Sequence, residues 1–105
     1  MSHYHLRNKV FRVYVDPKTG DLKDTVDAVD HSFDSMDALK GYVEQIIACQ
    51  EANVKAGAYK DLRVGEWQQS GEFLVRDVTV TEETPNYPRT LITHRFVAHE
   101  ERPRF

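Results

Sequence analysis

The chain is poor in the residues and spacings that announce a chemistry. It has one cysteine, Cys49, which excludes an intrachain disulfide framework and points to a reducing compartment. Its five glycines are scattered, so no glycine-rich phosphate loop, nucleophile elbow or dinucleotide fingerprint can be assembled from them. There is no HExxH and no cluster of cysteine and histidine at zinc-finger spacing, and the aspartates do not follow the alternation of a calcium loop. Paired carboxylates for glycoside hydrolysis would need a cleft that 105 residues struggle to build around a sugar. No metal and no cofactor are therefore expected.

A concentrated basic surface is also missing. The net charge is −3, with arginines dispersed rather than gathered into the footprint that phosphate neutralisation requires, so direct nucleic-acid binding is not expected. No apolar run approaches the roughly 18–20 residues of a membrane span, and the first residues carry no apolar leader. The expected location is the cytoplasm, with no membrane partner.

What is present is an ordinary globular composition, 40% apolar and 30% charged, sufficient for one domain over residues 1–105 with a single modest core. The charge is unevenly spread. Arg7, Lys9 and Arg12 make the first fifteen residues purely basic, whereas residues 16–37 carry seven aspartates against Lys18 and Lys23.

The clearest element is a helix from Ser35 to Ala56. Met36, Leu39, Val43, Ile46, Ile47 and Val54 recur at three- and four-residue spacing and so share one face. Asp34 or Ser35 can accept from the free N–H groups of the first turn, and Gly57 marks the end, with Lys55 complementing the negative pole of the helix dipole. Ahead of it, Tyr4 to Val15 alternates as a strand. Asp16 to Asp21 forms a turn in which Pro17 pre-sets φ and Gly20 takes the left-handed conformation.

A returning strand in that register sets Val15 beside Leu22, Phe11 beside Val26 and Arg7 beside Asp30. Residues 22–36 also fit helical spacing, but their aspartates and β-branched residues favour the strand. After the helix come strands at about 59–67, 72–81 and 90–99, the first two separated by the polar spacer 68–71. The expected fold is α+β: an antiparallel or mixed sheet of about five strands, β-β-α-β-β-β, with one amphipathic helix packed on one face.

Several residues invite a functional reading. Asp21, Asp24, Asp27, Asp30 and Asp34 form an acidic stretch that would steer a basic partner. Tyr87, held between Pro85 and Pro88, offers an aromatic on a stiffened loop. Tyr42, Gln50, His94 and Arg95 are the polar residues that would line a pocket between helix and sheet. His3 and His5 point the same way on a strand, a chelating spacing without an identifiable third ligand, while His94 and His99 face opposite sides.

Cys49, on the flank of the helix stripe, reads as a partly buried structural thiol. Gln50 falls in the apolar face with Asn53 close by. A buried unsatisfied amide costs about 1–3 kcal/mol, so the helix is expected to overshoot the sheet there and leave both side chains in water.

The functional expectation is a small protein-binding domain without catalytic activity, of the inhibitor or immunity type carried by phage or mobile elements, docking a basic, nucleic-acid-binding protein on its acidic surface. The alternative is a small-molecule-binding protein or small enzyme with its pocket between helix and sheet. A third expectation is a homodimer that pairs sheet edges or opposes sheet faces. The strands at 72–81 and 90–99 are apolar on both faces, and one helix covers only one of them.

Overall fold

The turn at 16–21 forms as its residues require and sets everything before the helix. In the computed structural model, which describes residues 3–83 and 89–101, Asp16 N–H donates to Asp21 O and Gly20 N–H to Asp16 O, each at 2.8 Å. Gly20 takes φ of 76°. The Asp16 carboxylate accepts from Lys18 N–H at 2.8 Å, the local bond that makes Asp a turn residue. The turn joins β1 (His3–Val15) to β2 (Leu22–Phe33), with Val15 opposite Leu22, Phe11 opposite Val26 and Arg7 opposite Asp30. The expected register is the observed one, and residues 22–33 are strand rather than helix.

The helix α1 spans Met36–Lys55. Ser35, not Asp34, is its N-cap, with its Oγ accepting from Ala38 N–H at 3.0 Å. At the other end Ala56 is the C-cap and Gly57 follows in the left-handed region at φ of 83°. Gly57 N–H donates to Val54 O and Ala58 N–H to Asn53 O, the two reversed bonds of a Schellman termination.

Beyond the helix lie β3 (Tyr59–Val64), β4 (Gln68–Ser70), β5 (Phe73–Glu82) and β6 (Thr90–Glu101). The polar spacer at 68–71 is thus partly a strand, paired with β5 so that Gln68 faces Val75 and Ser70 faces Phe73. Its three residues are all exposed, so backbone pairing alone makes the strand and no apolar alternation announces it.

All ladders are antiparallel, and the sheet runs β2-β1-β6-β5-β3, with β4 also on β5. β2 is therefore one edge. The other edge is shared by β3 and β4. β3 shifts register between Lys60 and Arg63, where Asp61 sits at φ of 55°. The chain is α+β with a single helix on the sheet.

The core lies between that helix and one sheet face. Leu39, Val43 and Ile47 pack on Leu6, Val78, Phe96 and Ala98, all buried. Trp67 and Leu74 close the rim, and the Arg76 guanidinium lies 5.9 Å from the Trp67 ring centroid. Among the described residues no helix is long and apolar enough to cross a membrane.

Candidate functional site

The pleat sorts the strand residues into two faces, because successive side chains point to opposite sides. Leu6, Phe96, Ala98 and Val78 belong to the helix-side set. The odd-numbered residues of β1, β5 and β6 and the even-numbered residues of β2 then share the opposite face. These three ladders carry no register shift, so the sorting holds along their full length. The face without a helix carries Val13, Val15, Leu22, Val26, Phe73 and Leu91, six of the eight large apolar residues left exposed among the described residues; Leu22 is 74% exposed and Val26 58%. Around them stand Phe11, Val75 and Val97, partly covered by neighbours.

The charges on this face are largely matched. Arg7 donates through Nε to Asp30 Oδ1 at 2.8 Å and through Nη2 to Oδ2 at 3.2 Å. Arg95 forms the same two-pronged contact with Asp77, at 3.0 and 3.3 Å, and lies over the Phe11 ring. The carboxylate of Asp30 titrates below its usual range, chiefly because Arg7 hydrogen-bonds to it, with the Arg7 charge and His5 assisting.

The acidic stretch does not form one patch. Asp24 and Asp30 lie on the helix-free face, and Asp27, opposite Val10, lies on the other. Asp27 accepts from Arg12 Nη1 at 3.4 Å, while Asp16 pairs with Lys23 at 3.0 Å. Asp21 sits in the turn and exposed Asp34 lies just ahead of the N-cap. Basic β1 and acidic β2 thus answer each other within the hairpin. Tyr87 lies outside the described residues.

Nor do the four pocket candidates converge. Tyr42 hydrogen-bonds His31 Nε2 at 3.0 Å, near the start of the helix, with Phe33 packed on its ring. Arg95 is on the helix-free face. Gln50 and His94 do meet, Gln50 Nε2 lying 3.3 Å from His94 Nε2, with His94 Nδ1 3.5 Å from Asn8 Oδ1.

This corrects the expected overshoot: the helix is still above the sheet at Gln50, because β6 reaches far enough to put His94 beneath it. Gln50 and Asn8 thus each present a side-chain amide to one of the two ring nitrogens. Burial, with the Arg12 charge as a lesser cause, pushes the His94 imidazole below its ordinary value. Gln50 Oε1 is buried without a partner among the described residues.

Cys49 is exposed, a second correction. It stands about 200° round the helix from Ile47 at 100° per residue, on the side away from the sheet.

One constellation was not legible in the sequence. The register sets His5 directly across from His99 and His3 across from Glu101, all four on the helix-free face. The His5 and His99 rings are 5.1 Å apart. His99 Nε2 is 3.4 Å from Glu101 Oε1, and His5 Nε2 is 3.0 Å from Asp30 Oδ1. His5, Arg7, Phe73, Val97 and His99 line a shallow cavity of about 200 Å³. The His3–His5 spacing is visible in sequence, but the partners come from a strand more than ninety residues away.

The chain matches no protein-family profile, no curated protein and no solved structure.

Proposed function

We propose that the protein is a protein-binding domain whose working surface is the helix-free face of the sheet, and that the partner this face fits is a second copy of the chain. The observation that carries the reading is the concentration of exposed apolar side chains on one uncovered face. A scatter of single apolar residues over a surface would need no explanation; Val13, Val15, Leu22, Val26 and Leu91 gathered round Phe11 at one end of a single face do.

Size supports the reading. At about 3.3 Å per residue and about 4.8 Å between strands, β1, β2, β5 and β6 present a footprint of about 700 Å². Stable interfaces cover about 800 Å² of accessible surface per partner, and side-chain relief makes the accessible surface larger than the footprint.

Charge supports it too. Arg7, Lys9 and Arg95 stand against Asp24, Asp30, Asp77 and Glu101 on this face. Two copies would therefore meet without a strong field of one sign. A two-fold pairing of like surfaces needs this self-compatibility.

The edge is a poorer route. β2 is an edge strand with Asp24, Asp27 and Asp30 at three-residue spacing, and antiparallel pairing of two copies centred on Asp27 would set Asp27 opposite Asp27 and Asp24 opposite Asp30, which is destabilising. An acidic surface for a basic partner is less well supported than the apolar face, because Asp27 and Asp30 already hold Arg12 and Arg7.

Sedimentation equilibrium from about 10 μM to about 1 mM tests the proposal, since this range brackets weak to moderate dimers. A reversible monomer–dimer equilibrium is expected. A strict monomer throughout overturns it.

A further inference from the structure

We propose that His5, His99 and Glu101 form a binding site for a divalent transition metal of the zinc class, with one coordination position left open. The inference rests on the cluster's own geometry and goes beyond the self-association reading. The three residues offer ligand atoms that all lie within 4.8 Å of one another. Around a tetrahedral zinc with bonds of about 2.0–2.1 Å, ligand atoms stand about 3.4 Å apart. The remaining gap is closed by side-chain rotation, and Glu101, on an exposed strand end, is free to make it.

The backbone holds the two imidazoles in place. His5 and His99 are directly opposed on adjacent antiparallel strands, and the edge of the Phe73 ring meets His99 with centroids 5.3 Å apart. Neither histidine depends on a loop. Glu101 follows His99 by two residues, the strand period that returns a side chain to the same face.

The surroundings suit a dication. Asp30 Oδ1 lies 3.0 Å from His5 Nε2, an outer carboxylate of the kind that orients the imidazoles of metal sites. Arg7 does not oppose the ion freely, because its guanidinium is committed to the same Asp30. Two imidazoles and one carboxylate select zinc, nickel, cobalt or copper over magnesium and calcium, which prefer all-oxygen sites. Three protein ligands leave a fourth position for water or for a group from a bound molecule.

The test is calorimetric titration of the tag-free full chain with zinc chloride, paralleled by cobalt absorption spectra. One ion per chain is expected, with a tetrahedral cobalt band. His99→Ala and Glu101→Gln should each weaken zinc binding at least about tenfold, and Lys9→Ala, on the same face outside the cluster, should leave it unchanged. In the unsubstituted protein, zinc should shift the side-chain ¹⁵N resonances of His5 and His99, a readout that needs no variant to fold. Binding that survives the His5→Ala/His99→Ala double substitution overturns the site. So does the absence of any binding below about 1 mM zinc, or zinc shifts confined to His31 and His94.

Discussion

Replacing Val26 by lysine separates the helix-free face from every other explanation of self-association. Val26 is 58% exposed in the single chain, so burial in a dimer would remove from water a little over half of its side chain. Full burial of a valine contributes about 1.5 kcal/mol at the low end of the apolar range; the fraction still exposed therefore leaves about 0.9 kcal/mol to be gained. A two-fold interface uses the residue twice, giving about 1.7 kcal/mol, and the dimer dissociation constant should rise at least about fifteenfold.

The two lysine ammonium groups add a desolvation cost in the same direction. The fold itself should lose less than about 1 kcal/mol, the span of strand propensities at an exposed position. Val29→Lys is the matched control. It stands three residues along the same strand, 51% exposed, but its side chain points to the helix side. Sedimentation equilibrium of the three proteins, with thermal unfolding to verify the fold, should show V26K shifted to monomer and V29K unchanged. Equal behaviour of the two variants refutes the face assignment.

Other expectations follow from the interior. Because burial, aided by Arg12, lowers the His94 pKa, the unfolded chain takes up a proton near the ordinary value of 6.5 that the folded chain refuses. Stability is thus fully present above that pH and declines as pH falls toward the folded value. Urea midpoints should drop between pH 8 and 5, and His94→Gln should flatten that slope; an equally steep profile would exclude His94 as its source. Gly65→Ala should destabilise by about 1–3 kcal/mol by overpacking, because a Cβ there would stand 2.8 Å from Asp77 O; an unchanged denaturation midpoint would show that the loop relaxes freely.

Arg76 donates from Nε to Gly65 O at 2.8 Å and from Nη1 to Glu44 at 2.6 Å while lying over Trp67. Lysine cannot reproduce that fork, so Arg76→Lys should cost about 1–2 kcal/mol. A shift in chemical denaturation smaller than that would mean the stacked guanidinium contributes little.

Local chemistry was readable and distant pairing was not. The turn at Asp16–Asp21 fixes the β1–β2 register because its geometry is encoded in adjacent residues, and the helix is legible from its stripe, its serine cap and Gly57. Gln50 was misplaced because a helix stripe says which side is buried but not how far the sheet beneath it extends. β4 escaped notice because Gln68, Gln69 and Ser70 pair through their backbone alone. The His5–His99–Glu101 cluster depends on β1 meeting β6, and no turn links those strands. Likewise the matched charges of Arg7 with Asp30 followed from the hairpin, whereas Arg95 with Asp77 required the order of the sheet.

That order has a kinetic consequence. The central strand pair joins the first strand to the last, His5 to His99, across nearly the whole sequence. The β1–β2 hairpin and the helix are local and can form early, but Phe96 and Ala98 arrive only with β6, and without them Leu6, Leu39 and Val43 have little to pack against. Closing so long a loop is paid for before its contacts return anything. During synthesis the apolar helix stripe and the inner edge of β1 would wait uncovered until β6 leaves the ribosome. The interval before β6 docks is then the chain's most aggregation-exposed moment.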